Sequence, residues 1–197
     1  KISIIKNLAK KMSAIAICGG MANSFIKHQG HNIGKSLVEK DVQDIIEDIF
    51  IFSDKNNCKI VLPNDATTAL KLENNVNTNI KKIDKIESNE MILDIGPISI
   101  KELKELIKSS KTVFWNGPPG VFEIAPFNKA TIEIAEYIAE LTQAGKIQSF
   151  AGGGDTVAAI EMAGVRDKFT YISTGGGALL ELLEGKQLPG LIAQNIL

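Results

Sequence analysis

Short apolar runs alternate along the chain with longer stretches in which apolar residues recur at helical spacing. The runs "AIAIC" (14–18), "CKIVLP" (58–63), "MILDIG" (91–96), "TVFWN" (112–116), "IQSFA" (147–151) and "FTYIS" (169–173) read as strands. Helices are predicted over 21–30, 41–55, 99–110, 126–145, 155–164 and 177–186. Gly30 and Gly145 end two of them, and Ser99 with Glu102 forms a capping box for a third. The polar, Asn-rich run 64–83 carries only weak strand or loop character. Continuous apolar strands separated by helices predict an α/β fold: a parallel sheet with helices on both faces, in three α/β/α layers. Crossovers should be right-handed. No internal repeat or low-complexity linker divides the chain, so 1–197 reads as one domain.

The first residues, "KISIIKNLAKKM", already lie in an amphipathic pattern, with Ile2, Ile5, Leu8 and Ala9 at helical spacing. They carry no signal-peptide pattern. The expectation is a piece of a longer chain.

Composition adds mostly exclusions. The chain has 197 residues, 44% hydrophobic and 23% charged, in the range of a folded globular protein. Its 22 basic and 23 acidic residues give a net charge of −1, so nothing points to nucleic acid or an anionic membrane as partner. No apolar run approaches the roughly 20 residues of a membrane span. Cys18 and Cys58 are too few for a disulfide framework or a zinc site and read as small buried thiols, suited to a reducing cytoplasm.

The unusual residues share one address. "CGGMA" (18–22), "PND" (63–65), "DIGP" (94–97), "NGPPG" (116–120), "GGGD" (152–155) and "STGGG" (173–177) all sit where a strand ends and the chain turns toward a helix. In an open parallel sheet those turns line the carboxyl edge, where such folds bind ligands.

Each turn has two readings. In "AGGGDT", glycines let a ligand approach the backbone, the helix start suits phosphate, Asp155 can hold Mg²⁺ bridging phosphates, and Thr156 can offer a hydroxyl. The alternative is a tight turn with Asp155 capping its helix. "STGGGA" repeats the logic without a carboxylate, or is a structural turn. In "WNGPPGVFE", Pro118 and Pro119 stiffen a loop that would fix Asn116 and present Glu123 to a ribose; a structural loop with a solvated Glu123 is the other reading. Asp65 and Asp94 are explained by capping or turn bonds.

Other patterns are decoys. "GHNIGKS" has one residue too few between Gly30 and Gly34 for a P-loop and follows no strand, leaving Lys35 a solvated loop lysine. The glycines at 152–154 fail the dinucleotide spacing. His28 and His31 read as surface residues, and no Ser/His/Asp or Cys/His set stands out.

The set "GGMANSF", "LPND", "LDIGPIS", "WNGPPGVFE", "AGGGDTVAA" and "STGGGALLELLEGKQLPG" resembles, in order and spacing, the phosphoglycerate kinase family. The resemblance covers essentially the whole chain and is to the C-terminal, nucleotide-binding half, a Rossmann-like domain. It implies that the domain's first strand and the N-terminal substrate domain with its basic pocket are not among these residues. It implies an adenine pocket at Gly19, Gly20 and Leu93, a ribose contact at Glu123, and phosphate neighbours at Asn116 and Pro118. Gly153, Gly154, Asp155 and Thr156 match the phosphate and magnesium loop, with Asp155 the metal ligand. Ser173, Thr174, Gly175 and Gly176 match the helix start facing the transferring phosphoryl group, and Lys1 matches a phosphate-contacting lysine. Cys18, Ala130 and Leu179 depart from a usual glycine, glycine and serine, and Cys18 would narrow the adenine pocket.

The implied chemistry is reversible phosphoryl transfer between 1,3-bisphosphoglycerate and ADP, giving 3-phosphoglycerate and ATP, with Mg²⁺ and without a covalent enzyme intermediate. Positioning and charge neutralisation carry such a reaction, and two domains closing on a hinge exclude water. A cytoplasmic monomer is expected, with the isolated chain binding nucleotide but not turning over. The competing reading is a non-catalytic adenine-nucleotide-binding module.

Overall fold

The computed structural model describes residues 4–173. The helix predicted over 177–186 lies outside them, as do Lys1, Thr174, Gly175, Gly176 and Leu179. The elements run α1 (Ile4–Ala9), β1 (Ala14–Ala16), α2 (Gly19–His28), α3 (Gln43–Lys55), β2 (Lys59–Val61), β3 (Asp65–Ala69), β4 (Asn79–Lys82), β5 (Met91–Ile95), α4 (Pro97–Ser109), β6 (Thr112–Trp115), α5 (Lys129–Gln143), β7 (Gln148–Ala151), α6 (Gly154–Met162) and β8 (Tyr171–Ile172).

The mixed α/β class with parallel sheets and flanking helices is as predicted. Strands β1 and β2 pair in parallel, with Ala14 opposite Lys59 and Ala16 opposite Val61. Strands β6, β7 and β8 form a second parallel sheet in that order. Among the described residues, β1 and β6 each pair on one side only. Their carboxyl ends nevertheless meet: a Cβ placed on Gly19 would sit 3.2 Å from the Pro118 carbonyl oxygen.

The third sheet is antiparallel, in the order β4–β3–β5, and differs from the expectation of parallel strands throughout. The polar run 64–83 supplies two of its strands. Its sequence looked like a loop because the buried positions of β3 are small or polar (Asp65, Ala66, Thr68 and Ala69) rather than large and apolar. A second difference lies at β1, expected to be buried: Ala14 and Ile15 are half-buried and Ala16 is exposed along the open edge.

Two main cores hold these pieces. One packs α4, α5 and α6 over β5–β7, with Ile134, Ile138 and Ile160 at its centre and Trp115 stacked on Phe169 at 6.3 Å. The other packs α1, α2 and α3 around Phe25, Ile46 and Ile49. Burying each such side chain contributes about 1.5–3 kcal/mol. The helical faces follow from spacing: Ile100, Leu103 and Ile107 of α4 turn inward together.

Glu90, 2% exposed, ties the antiparallel sheet together. One carboxylate oxygen accepts from the Thr68 hydroxyl and the Asn79 amide, both at 3.1 Å. The other accepts from the Glu87 N–H at 3.1 Å and faces the Lys81 ammonium at 3.0 Å. Burial alone would push its carboxyl up, but Lys81 and the other donors outweigh that and hold it below the ordinary 4.5. A depressed folded pKa contributes stability above the unfolded value that is lost as pH falls through the folded one. Glu90→Gln, which turns an amide NH₂ toward those donors, should therefore cost about 2–4 kcal/mol at pH 7 in urea unfolding. The difference from wild type should shrink as the pH drops below 4.5.

Candidate functional site

The site starts from two buried carboxylates on adjacent strands. Asp65, at the start of β3, is 1% exposed and caps α4 from a distance. Its two oxygens accept the N–H groups of Ile98 at 3.0 Å and Ser99 at 2.8 Å. This corrects the capping box: α4 begins at Pro97 after Gly96, without a side-chain cap from its own N-cap residue. Ser99 instead donates its hydroxyl to Asp65 at 2.6 Å, and Glu102 accepts from the Asn64 amide at 2.7 Å. Asp94, on β5 and 2% exposed, accepts the Ile95 N–H at 2.9 Å and, at the start of α5, the Ala130 N–H at 3.0 Å. Both helix starts thus find acceptors for N–H groups that have no partner within the helix. Burial pushes the Asp94 carboxyl up to about 7; the Ala130 and Ile95 N–H groups pull it down, Glu133 raises it and Lys129 lowers it.

Above these carboxylates lies a cavity of about 490 Å³, within the size range of small-molecule pockets. Of the site residues implied by the resemblance, Gly19, Gly20, Leu93, Pro118, Glu123 and Asp155 line it. Apolar surface from Leu93, Val121 and Phe122 forms much of its wall. Glu123 and Asp155 are exposed, and neither engages a hydrogen-bond partner among the described residues. The reading of Asp155 as a helix cap therefore fails: Gly153 is the N-cap of α6, and Asp155 makes no capping bond.

Asn116, Gly153, Gly154 and Thr156 stand behind the cavity in two interlocked loops. The Asn116 amide donates to the Gly152 carbonyl at 2.5 Å. Thr156, 1% exposed, accepts the Gly117 N–H at 2.6 Å. Its hydroxyl oxygen is thus engaged with the neighbouring loop. Gly153 has φ +97°, which side-chain-bearing residues rarely adopt, and a Cβ there would lie 2.8 Å from the Asn116 amide nitrogen. Trp115 anchors the same loop through its indole N–H to the Gly117 carbonyl at 2.7 Å. Ser173 is buried at the end of β8, its N–H donating to the Ala151 carbonyl at 2.8 Å, away from the cavity lining.

Sequence reasoning missed one wall. Lys35 and Ser36, set aside with the false P-loop, and the adjoining Leu37 line the cavity. Their segment is fastened to β5: the Lys35 N–H donates to the Glu90 carbonyl at 2.7 Å, and Ser36 Oγ accepts the Ile92 N–H at 2.8 Å. Lys35 is exposed as expected, but at the rim of the site. The available signal was Leu37, an apolar residue outside any periodic pattern; it is 80% exposed and faces Gly20. His28 pairs with Glu47 at 3.1 Å on the surface. Among the described residues, no group of three or more His, Cys, Asp or Glu side chains could hold a metal by itself.

The family model for phosphoglycerate kinase matches residues 1–186. The chain belongs to the phosphoglycerate kinase family. It is 49% identical over 191 residues to phosphoglycerate kinase of Agrobacterium fabrum, covering 97% of this chain and 48% of that protein. To phosphoglycerate kinase of Rhodopseudomonas palustris it is 50% identical over the same length, with 97% and 48% covered. The structure of phosphoglycerate kinase from Coxiella burnetii superposes with a TM-score of 0.89 at 39% identity, over 94% of this chain and 47% of that one. The chain thus spans about half the length of these phosphoglycerate kinases.

Cys18, the departure from the family pattern expected to narrow the pocket, does not line the cavity. It packs at the edge of the α4–α5–α6 core, where burial first and the Asp94 charge second push its thiol up to about 12. Ala130, the second departure, is fully buried in the first turn of α5 and donates its N–H to Asp94.

Thr156→Val keeps the side-chain shape and removes the acceptor of the Gly117 N–H. It should cost about 0.5–1.5 kcal/mol of stability, and amide exchange at Gly117 should accelerate against a wild-type control.

Proposed function

We propose that the cavity binds the Mg-ADP or Mg-ATP of a phosphoglycerate kinase, and that residues 1–197 form its C-terminal, nucleotide-binding domain. The observation that carries this reading is the arrangement of the cavity: it opens between Gly20, Leu37 and Leu93 and ends at Asp155, an exposed carboxylate in the first turn of α6 without a partner among the described residues. Flat apolar surface suits a purine, and a bare helix start suits phosphate. Gly19, Gly20 and Leu93 would hold the base and Glu123 the ribose. Asn116, Pro118, Gly153, Gly154 and Thr156 would shape the phosphate end. Lys1, Ser173, Thr174, Gly175 and Gly176 would serve the transferring phosphoryl group.

The donor set fits magnesium in the form kinases use. Among the described residues, Asp155 is the free carboxylate at the phosphate end; one carboxylate there is too little for an all-protein metal site and suits an ion that arrives with nucleotide phosphates. Asp155 would hold it, and when bound it supplies charge neutralisation on the phosphate oxygens. The protein's own part is positional. Asn116 and Thr156 lock the glycine loop open to the ligand, and Pro119–Phe122 wall the nucleoside end.

The parent reaction on this reading is reversible phosphoryl transfer between 1,3-bisphosphoglycerate and ADP, with the glycerate held by a second domain that closes on this one, in a cytoplasmic monomer. No described helix is long and apolar enough to cross a membrane. The edges of β1 and β6 left unpaired among the described residues, with ends that meet at Gly19 and Pro118, support one further strand of the parent domain between them.

Isothermal calorimetry with Mg-ADP tests the reading. Binding is expected for wild type, with affinity lowered about tenfold or more in Asp155→Ala and its magnesium dependence lost. Unchanged magnesium dependence in that variant would contradict the assignment, and turnover by these 197 residues alone would contradict the need for a second domain.

A further inference from the structure

The wall from Pro119 to Glu123 carries the residues proposed to line the nucleoside end, yet it belongs to neither a helix nor a strand. What fixes it is visible on one strand. The Leu93 carbonyl accepts the Val121 N–H at 2.9 Å, while the Leu93 side chain lines the cavity. At the next residue, the Asp94 carboxylate lies against Gly120 so closely that a Cβ on this glycine would overlap Oδ1 and stand 2.6 Å from the Phe127 carbonyl oxygen. The other carboxylate oxygen, Oδ2, holds the Ala130 N–H. One buried side chain therefore touches the wall through Gly120 and the start of α5 through Ala130, from a strand that itself forms the cavity floor.

We propose that Asp94 is a positioning residue for nucleotide binding: it sets the distance of the 119–123 wall from β5 and so the width of the nucleoside end of the cavity. The inference rests on the nucleotide reading above. The phosphate end is held independently, by Asn116 on Gly152 and Thr156 on Gly117. Loss of the Asp94 clamp should therefore act on the nucleoside and spare the phosphates. That asymmetry separates a positioning role from general stabilisation, because a merely structural residue would leave the folded protein's preference between the two unchanged. The same contact explains why position 120 is glycine: the space a methyl would need is filled by the carboxylate and by the Phe127 carbonyl oxygen.

The test is calorimetric titration of wild type and Asp94→Asn with two probes, Mg-ADP and Mg-tripolyphosphate, at a temperature where circular dichroism shows both proteins folded. Asparagine keeps the volume and one acceptor oxygen but cannot replace both oxygens. The expected result is Mg-ADP affinity about tenfold weaker in the variant, with tripolyphosphate affinity within twofold of wild type. Unchanged Mg-ADP affinity, or equal loss for both probes, would overturn the positioning role while leaving the nucleotide reading standing. Absence of Mg-ADP binding by wild type would overturn the nucleotide reading itself, and this inference with it. Should Asp94→Asn fail to fold, Gly120→Ala, which keeps the carboxylate and presses a methyl against it, is scored by the same ratio.

Discussion

A carboxylate taken out of water must meet donors at once, and the region around the cavity is arranged by that constraint. Asp65, Asp94 and Glu90 all sit on or beside the antiparallel sheet, and all three are essentially buried. Helix starts have the opposite need, since their first N–H groups lack partners. Asp65 meets that need for α4 and Asp94 for α5, so each buried charge is spent on orienting a helix. Glycine at 96 and 120 is the counterpart: a Cβ at Gly96 would lie 2.7 Å from one Asp65 oxygen, and at Gly120 the Asp94 carboxylate takes the same kind of space. Strand, carboxylate, glycine and helix start form one repeated unit, and the cavity opens above two copies of it.

Much of this was legible in the chain. Apolar runs and helical spacing located nearly every described element, because those elements bury large side chains on one face. The capping explanation of Asp65 and Asp94 holds, although each serves a helix start remote in sequence from its own position. The antiparallel sheet was hidden because β3 buries Ala66, Thr68 and Ala69, and a buried threonine satisfied by Glu90 carries no apolar signature. Ser99 looked like a cap because its spacing to Glu102 is right; Gly96 and Pro97 start the helix earlier, and Asp65 takes the N–H groups a cap would have taken.

The site was legible as a set of turns but not as a surface. Strand-end position grouped the turns of Gly19, Pro118 and Asp155, which do line one cavity; Leu93, named through the resemblance, and Glu123, named from the proline loop, line it too. It could not show that Asn116 and Thr156 face each other's loops, which depends on parallel strands β6 and β7 lying side by side. Nor could it find Leu37 and Lys35, whose place depends on bonds to Glu90 and Ile92 far along the chain. The Cys18 thiol illustrates the converse: its departure from the family's usual glycine suggested the pocket, but the side chain turns to the core behind it.

The central claim is directional: a nucleotide lies with its base between Gly20 and Leu93 and its phosphates at the start of α6. Amide NMR of the chain with ADP, comparing Mg²⁺ with paramagnetic Mn²⁺, tests this most directly. The account predicts that Mn²⁺ broadens the amides of Gly153, Gly154, Asp155 and Thr156 first, while Leu93 and Val121 shift equally with either metal. Broadening centred elsewhere, for example on Lys81 and Glu87, or an unshifted Leu93 at saturating ADP, would contradict it.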